Sequence, residues 1–148
     1  MKCDISSLKD SENLAKKIAA LIEKGDVIAL EGDLGAGKTT FTRFVINALS
    51  DKDVEVLSPT FTLVQPYELD RFNLWHFDLY RLENIEEIYE LGYEEALDEG
   101  VAIIEWPQII AGMMPENRLL IRLGLNLDTR FAEIEAYGNW KDRLNGLE

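Results

Sequence analysis

The stretch Gly32-Asp33-Leu34-Gly35-Ala36-Gly37-Lys38-Thr39 decides how this chain folds. It follows the apolar run Val27-Ile28-Ala29-Leu30, which reads as a buried parallel strand. It precedes residues 39–49, where Phe41, Val45, Ala48 and Leu49 share a helical stripe. Strand, glycine-rich loop and helix in that order match the G-x-x-x-x-G-K-[ST] pattern and its required setting. The glycines allow a tight turn whose N–H groups point inward as an anion nest. The helix that follows adds its free N–H groups and the positive end of its dipole. Asp33, Leu34, Gly35, Ala36, Gly37 and Thr40 would then lie along a bound polyphosphate. Lys38 would bring a full charge to the β- and γ-phosphates, and Thr39 a hydroxyl for Mg²⁺. The chain lacks the Asn-Lys-x-Asp tetrapeptide that reads guanine, so the expected nucleotide is ATP.

Outward from this loop, residues 11–23 read as a helix with Leu14, Ile18, Leu21 and Ile22 on one face and Gly25 as its stop. Residues 61–68 and 73–80 read as a hairpin around Leu69-Asp70-Arg71-Phe72. Asn84 is suited to cap a helix over 85–91 that ends at Gly92, and a short helix over 94–98 ends at Gly100. Val101-Ala102-Ile103-Ile104 is a second buried-strand run, and 118–125 and 131–137 alternate as strands. Residues 140–147 read as a closing helix. The expected fold is α/β, a P-loop NTPase-like mixed sheet with helices on both faces, as a single domain over 1–148.

P-loop chemistry also needs a carboxylate at the end of a neighbouring strand. Glu105 closes the run 101–104, where such an acid belongs; the bland alternative is an ordinary acid leaving a strand. Trp106 follows, fit either to lie against a nucleotide or to fill the core. Asp78 is the second acid. Alternation puts Trp75, Phe77 and Leu79 on one face, and His76, Asp78 and Tyr80 on the other. A solvent-facing edge strand would show the same pattern. His76, the only histidine, reads more readily as structural than catalytic. Ser58-Pro59-Thr60 is either a plain turn or a loop whose Thr60 senses Mg²⁺ and the γ-phosphate.

Composition limits the other possibilities. Acids outnumber bases, 28 to 15, for a net charge of −13. That argues against unaided nucleic-acid binding, which draws its affinity from Lys and Arg. A chain of 148 residues can bury roughly two-thirds of its unfolded surface without a disulfide or metal staple. The single cysteine, Cys3, reads as passive and suits a reducing compartment. One histidine and one cysteine exclude a His/Cys zinc cluster. No apolar stretch approaches the ~20 residues that span a bilayer, and the first residues show no signal-peptide core. The expectation is a soluble cytoplasmic protein with no membrane role.

Four segments in sequence resemble the TsaE (YjeE) family of bacterial ATPases that serve threonylcarbamoyladenosine synthesis on tRNA. They are Gly32 to Thr40, Ser58-Pro59-Thr60-Phe61-Thr62-Leu63-Val64, His76-Phe77-Asp78-Leu79-Tyr80-Arg81-Leu82 and Glu105-Trp106-Pro107-Gln108. The resemblance implies a P-loop fold with a mixed sheet, and an Mg²⁺-dependent ATPase. It implies Thr39 and Glu105 as Mg²⁺ ligands, Asp78 as essential for hydrolysis, and Ser11 and Arg130 near the nucleotide. It also implies binding to a complex of the TsaB and TsaD proteins. TsaD transfers the threonylcarbamoyl group to N6 of adenosine 37, and the TsaE cycle resets or licenses that complex. Contact with tRNA would then pass through the partners, in keeping with the acidic charge.

Two other readings are a P-loop small-molecule kinase and a nucleotide-gated binding module without catalysis. A kinase usually carries a lid with several arginines. Here Arg43, Arg71, Arg81, Arg118, Arg122, Arg130 and Arg143 are scattered, and no lid-like insertion separates Asp78 from Glu105.

Overall fold

The computed structural model describes residues 1–50 and 53–147. At its centre lies β2 (Val27–Glu31), the strand that leads into the glycine-rich loop. Its residues 27–30 are buried on both faces, as a strand flanked by parallel neighbours must be. On one side it pairs in parallel with β5 (Gly100–Glu105), and β5 in turn with β4 (Asn73–Asp78). On the other side it pairs in parallel with β6 (Arg118–Asn126), which turns back antiparallel into β7 (Thr129–Tyr137). The edges are β1 (Lys2–Asp4), antiparallel to β7, and β3 (Val64–Glu68), antiparallel to β4. The result is one seven-stranded mixed sheet in the order β1-β7-β6-β2-β5-β4-β3. Pro66 in β3 donates no ladder bond, which only an edge strand tolerates.

Alternation along β2, β4 and β5 divides two apolar layers. Ile28, Leu30, Leu74, Val101 and Ile103 join the layer containing α1 (Leu8–Ala19), α2 (Lys38–Leu49) and α4 (Trp140–Leu144), through Leu14, Ile18, Phe41, Val45, Ile46 and Trp140. Val27, Phe77, Ala102 and Ile104 join the opposite layer, with α3 (Tyr93–Glu99) and the 3₁₀ turns Ile85–Tyr89 and Pro107–Met113. Helices thus cover both faces, as expected.

Local chemistry explains where the elements differ from the sequence reading. Helix α1 starts before residue 11, because Ser7 and Asp10 form a reciprocal capping box. The buried stripe of α2 is Phe41, Thr42, Val45 and Ile46, leaving Ala48 exposed. Within 85–91 only Ile85–Tyr89 is helical, and as a 3₁₀ turn rather than an α-helix. Asn84 does cap it, accepting from the Glu86 N–H, but Gly92 adopts φ 91° and starts α3. The hairpin is shorter at both outer ends. Leu63 takes a left-handed φ of 68°, and Asp78 accepts from the Tyr80 N–H, which turns the chain out of the sheet.

A buried ion pair ties the end of the chain to the turn before β2. Arg143 donates to both oxygens of Asp26 at 2.6 and 2.8 Å, and also to the Leu21 carbonyl and Asn139. Its guanidinium stacks on the Trp140 ring. Asp26 is 4% exposed, so removing Arg143 leaves a buried carboxylate unpaired. Arg143→Ala is expected to cost about 3–5 kcal/mol in urea unfolding. Because the pair is remote from the loop at Gly32–Thr39, nucleotide affinity of the folded fraction should not change.

A cleft at the carboxyl ends of the central strands

The glycine-rich loop leaves the carboxyl end of β2 and closes on α2. Gly37, the residue before that helix, has φ 98°, a conformation that admits little but glycine. The first backbone bond of α2 runs from the Phe41 N–H to the Gly37 carbonyl, so the N–H groups of Lys38, Thr39 and Thr40 precede the ladder. Three unladdered N–H groups, an aligned dipole and a neighbouring ammonium make this an anion-binding end.

Lys38 is 5% exposed. Its ammonium donates to the Gly32 and Asp33 carbonyls at 2.5 and 3.0 Å and lies 4.4 Å from the centroid of the Trp106 ring. Burial pushes its pKa down, while the charges of Glu105, Asp78 and Asp33 oppose that shift. Trp106 takes a left-handed φ of 60° and packs against Tyr80 with ring centroids 4.9 Å apart.

The two acids meet because the sheet is parallel here. Asp78 and Glu105 are register partners at the ends of β4 and β5, so their backbones lie about 5 Å apart. Both point toward α2, sharing a face with Leu74 and Ile103 respectively. Asp78 is 6% exposed and Glu105 is 2% exposed. The solvent-facing edge strand is therefore excluded: β4 lies inside the sheet and His76 is fully buried. Thr39 donates its hydroxyl to Glu105, 3.4 and 3.2 Å from the two carboxylate oxygens. Thr60 reaches Asp78 at 3.4 Å and shares a 2.8 Å hydrogen bond with Ser58.

Lys38, Thr39, Thr60, Asp78, Glu105 and Trp106 line one cleft of about 360 Å³, together with Leu34, Gly35, Gly37, Thr40 and Arg130. An adjoining hollow of about 250 Å³ is walled by Ser11, Ala36, Gly37, Thr40 and Arg130, with Ser6, Ser7 and Leu123. Every residue expected to bind nucleotide or metal or to act in catalysis borders this region, Asp33 through the neighbouring wall it shares with Leu125 and Arg130. The sequence reading missed Tyr80 as the partner of Trp106, and Ser6 and Ser7 as wall residues. The capping pair Ser7 and Asp10 was the available signal for the last two. Only the family resemblance, and no local pattern, points to an arginine near the loop. Arg130 stands there, close enough to Gly37 for a Cβ at that glycine to meet its guanidinium at 3.6 Å.

The donors on offer are hard oxygens. Among the described residues no group of three or more His, Cys, Asp or Glu is arranged to hold a metal by itself. Such a set fits Mg²⁺, which takes one or two protein oxygens and completes its octahedron with phosphate and water. Thr39 and Glu105 are the residues that would hold it.

Asp78 is strained by its setting. Burial pushes its carboxyl above the usual range and Glu105 adds repulsion, against the Tyr80 N–H that stabilises the anion. A carboxyl whose pKa is raised by folding loses stability as pH rises through the interval between the unfolded and folded values. Asp78→Asn keeps an acceptor for the Tyr80 N–H and removes the charge. It should raise the urea midpoint at neutral pH, and the gain should vanish below an Asp pKa of about 3.9.

The comparisons with known proteins agree with one another. The model of the family "Threonylcarbamoyl adenosine biosynthesis protein TsaE" matches residues 5–131. A tRNA threonylcarbamoyladenosine biosynthesis protein TsaE from Rickettsia prowazekii is 44% identical over 110 residues, 74% of this chain and 76% of that one. Its namesake from Bacillus subtilis is 41% identical over 138 residues, 92% of this chain and 85% of that one. The crystal structure of Bacillus subtilis YdiB superposes with a TM-score of 0.78 at 32% identity, covering 98% of this chain and 90% of that one. With this sheet, this glycine-rich loop and these relatives, the chain belongs to the TsaE family of tRNA threonylcarbamoyladenosine biosynthesis proteins.

Proposed function

We propose that the chain is an Mg²⁺-dependent ATPase whose nucleotide cycle acts on a TsaB–TsaD complex in the cytoplasm, with tRNA held by those partners. The observation that carries this reading is the convergence of Lys38, Thr39, Asp78 and Glu105 on one cleft at a helix N-terminus. The N–H groups of the loop and α2 cradle the phosphates, and Lys38 neutralises the terminal two. Bound Mg²⁺ supplies charge neutralisation at the phosphoryl group. Thr39 and Glu105 present oxygens toward it. Asp78 orients the attacking water, Thr60 steadies Asp78, and Trp106 shields the phosphate end from solvent. Ser11 and Arg130 border the hollow where the rest of the nucleotide would lie.

Among the described residues no arginine-bearing lid covers the cleft, which favours hydrolysis over phosphoryl transfer to a small molecule. Among the described residues, Arg130 is the arginine bordering the cleft. The segment between Asp78 and Glu105 packs into the core through Ile88, Tyr93 and Ala96 instead of covering the site. Among the described residues no helix is long and apolar enough to cross a membrane.

The test is equilibrium binding of ATP and GTP with and without Mg²⁺, followed by phosphate release at saturating ATP. The expected result is preference for ATP, tighter binding with Mg²⁺, and loss of that Mg²⁺ gain in Thr39→Ala. Failure of the chain to bind either nucleotide would overturn the reading. ATP binding without hydrolysis, alone or with partners, would favour a nucleotide-gated binding module.

A further inference from the structure

We propose that His76 is a positioning residue for Glu105, fixing which carboxylate oxygen faces the cleft; the inference rests on the Mg²⁺–nucleotide reading above. His76 lies two positions before Asp78 on the same face of β4 and is fully buried. Its Nε2 stands 2.5 Å from Glu105 Oε2. A carboxylate only accepts, so Nε2 carries the proton and donates. The other ring nitrogen, Nδ1, is buried with no hydrogen-bond partner among the described residues.

That asymmetry distinguishes the residue from an ordinary core histidine. Leaving a buried polar atom unpaired is costly, and a phenylalanine would fill the space without that cost. What phenylalanine lacks is the donor to Glu105. A glutamate side chain has three torsions to fix, and its carboxylate turns freely unless an oxygen is held. Here Oε2 is committed to His76, with Thr39 at 3.2 Å. Among the described residues Oε1 has only the longer Thr39 contact of 3.4 Å. The geometry leaves Oε1 as the oxygen available to a cation, and keeps it aimed between strand β5 and the start of α2. Hydrogen bonds that orient a ligating group typically contribute 10–100-fold in metal affinity.

The experiment measures affinity of the full chain for the non-hydrolysable analogue AMP-PNP by calorimetry, once in EDTA and once in Mg²⁺. The readout is the affinity gain that Mg²⁺ brings. In His76→Phe this gain should shrink about tenfold, with affinity in EDTA within about twofold of wild type. His76→Gln, whose amide nitrogen comes near the Nε2 position, should recover most of it. In a Glu105→Gln background, adding His76→Phe should change nothing further, because the two act as one unit. A full Mg²⁺ gain in His76→Phe, or an additive loss in the double variant, would overturn the inference. Should His76→Phe fail to fold, His76→Gln and the shorter His76→Asn decide, since only the former reaches Glu105; equal behaviour of the two would overturn it. If the wild-type chain binds the analogue with no Mg²⁺ gain, Glu105 is no metal ligand and this inference falls with it. If the wild-type chain binds nothing, the nucleotide reading itself fails.

Discussion

Lys38→Ala is expected to reduce ATP-dependent phosphate release by about 10²–10³-fold, the typical loss when one preorganised donor is taken from a charge-stabilising site. The electrostatics of the cleft make the effect severe. Lys38 is a buried cation surrounded by Asp33, Asp78 and Glu105, all of which raise its pKa against desolvation. Without it, among the described residues, the protein would offer a polyphosphate only backbone N–H groups and Arg130 against the two buried carboxylates. Repulsion would then act on binding as well as on turnover. The fold itself should be little affected. Lys38 donates to the loop carbonyls of Gly32 and Asp33, on a segment that is otherwise half-buried or exposed, where water can substitute. Thermal unfolding within a degree or two of wild type, combined with the loss of turnover, is the expected pair of results. Normal turnover in this variant would put the nucleotide elsewhere on the molecule.

The parts of this site that were legible in the sequence are those encoded by neighbours in the chain. An apolar run followed by glycines, lysine and threonine has one geometric solution, and β2, the loop and α2 follow it. An acid closing a four-residue apolar run has to emerge at a strand end, as Glu105 does. The period of two in β4 told which face Asp78 shares with His76, but not whether that face was buried. Burial depends on β4 also pairing in parallel with β5 beyond the expected hairpin, a contact between distant segments. The bond from His76 to Glu105 was hidden for the same reason, since β4 and β5 come into register only in the folded sheet. Strand β1 escaped notice because three residues on a sheet edge carry no readable alternation. Arg130 is placed near the nucleotide by family resemblance alone, because no local pattern in the chain encodes its position. It reaches the loop through β7, which is fastened to the start of the chain by the Arg130 N–H donating to Ser6 and the Ile5 N–H donating to the Arg130 carbonyl.

Turnover by the isolated chain is expected to be slow, and addition of a TsaB–TsaD complex should raise it by about 10³-fold or more, the contribution a well-placed positive group makes at a transferring phosphoryl. Two features of the cleft motivate this. Arg130 borders the site from an exposed strand end, and among the described residues its guanidinium makes no hydrogen bond or ion pair, so nothing in the chain fixes its reach. Beside Asp78, the loop carrying Thr60 presents apolar side chains to solvent. Phe61 is 82% exposed and Leu57 is 51% exposed, and the Thr60 contact to Asp78 is long. A docked partner can act by ordering that loop against Asp78, by steering Arg130, or by bringing an arginine of its own. Steady-state phosphate release at saturating ATP and Mg²⁺, alone and with the complex, measures the effect. Arg130→Ala then separates the routes. If Arg130 is steered onto the phosphates, acceleration disappears while the slow basal rate remains. If the partner supplies the charge or orders the Thr60 loop, most of the acceleration survives. Fast turnover alone that the partners leave unchanged would show that the cleft is complete as it stands, and coupling to tRNA modification would then have to reside in product release.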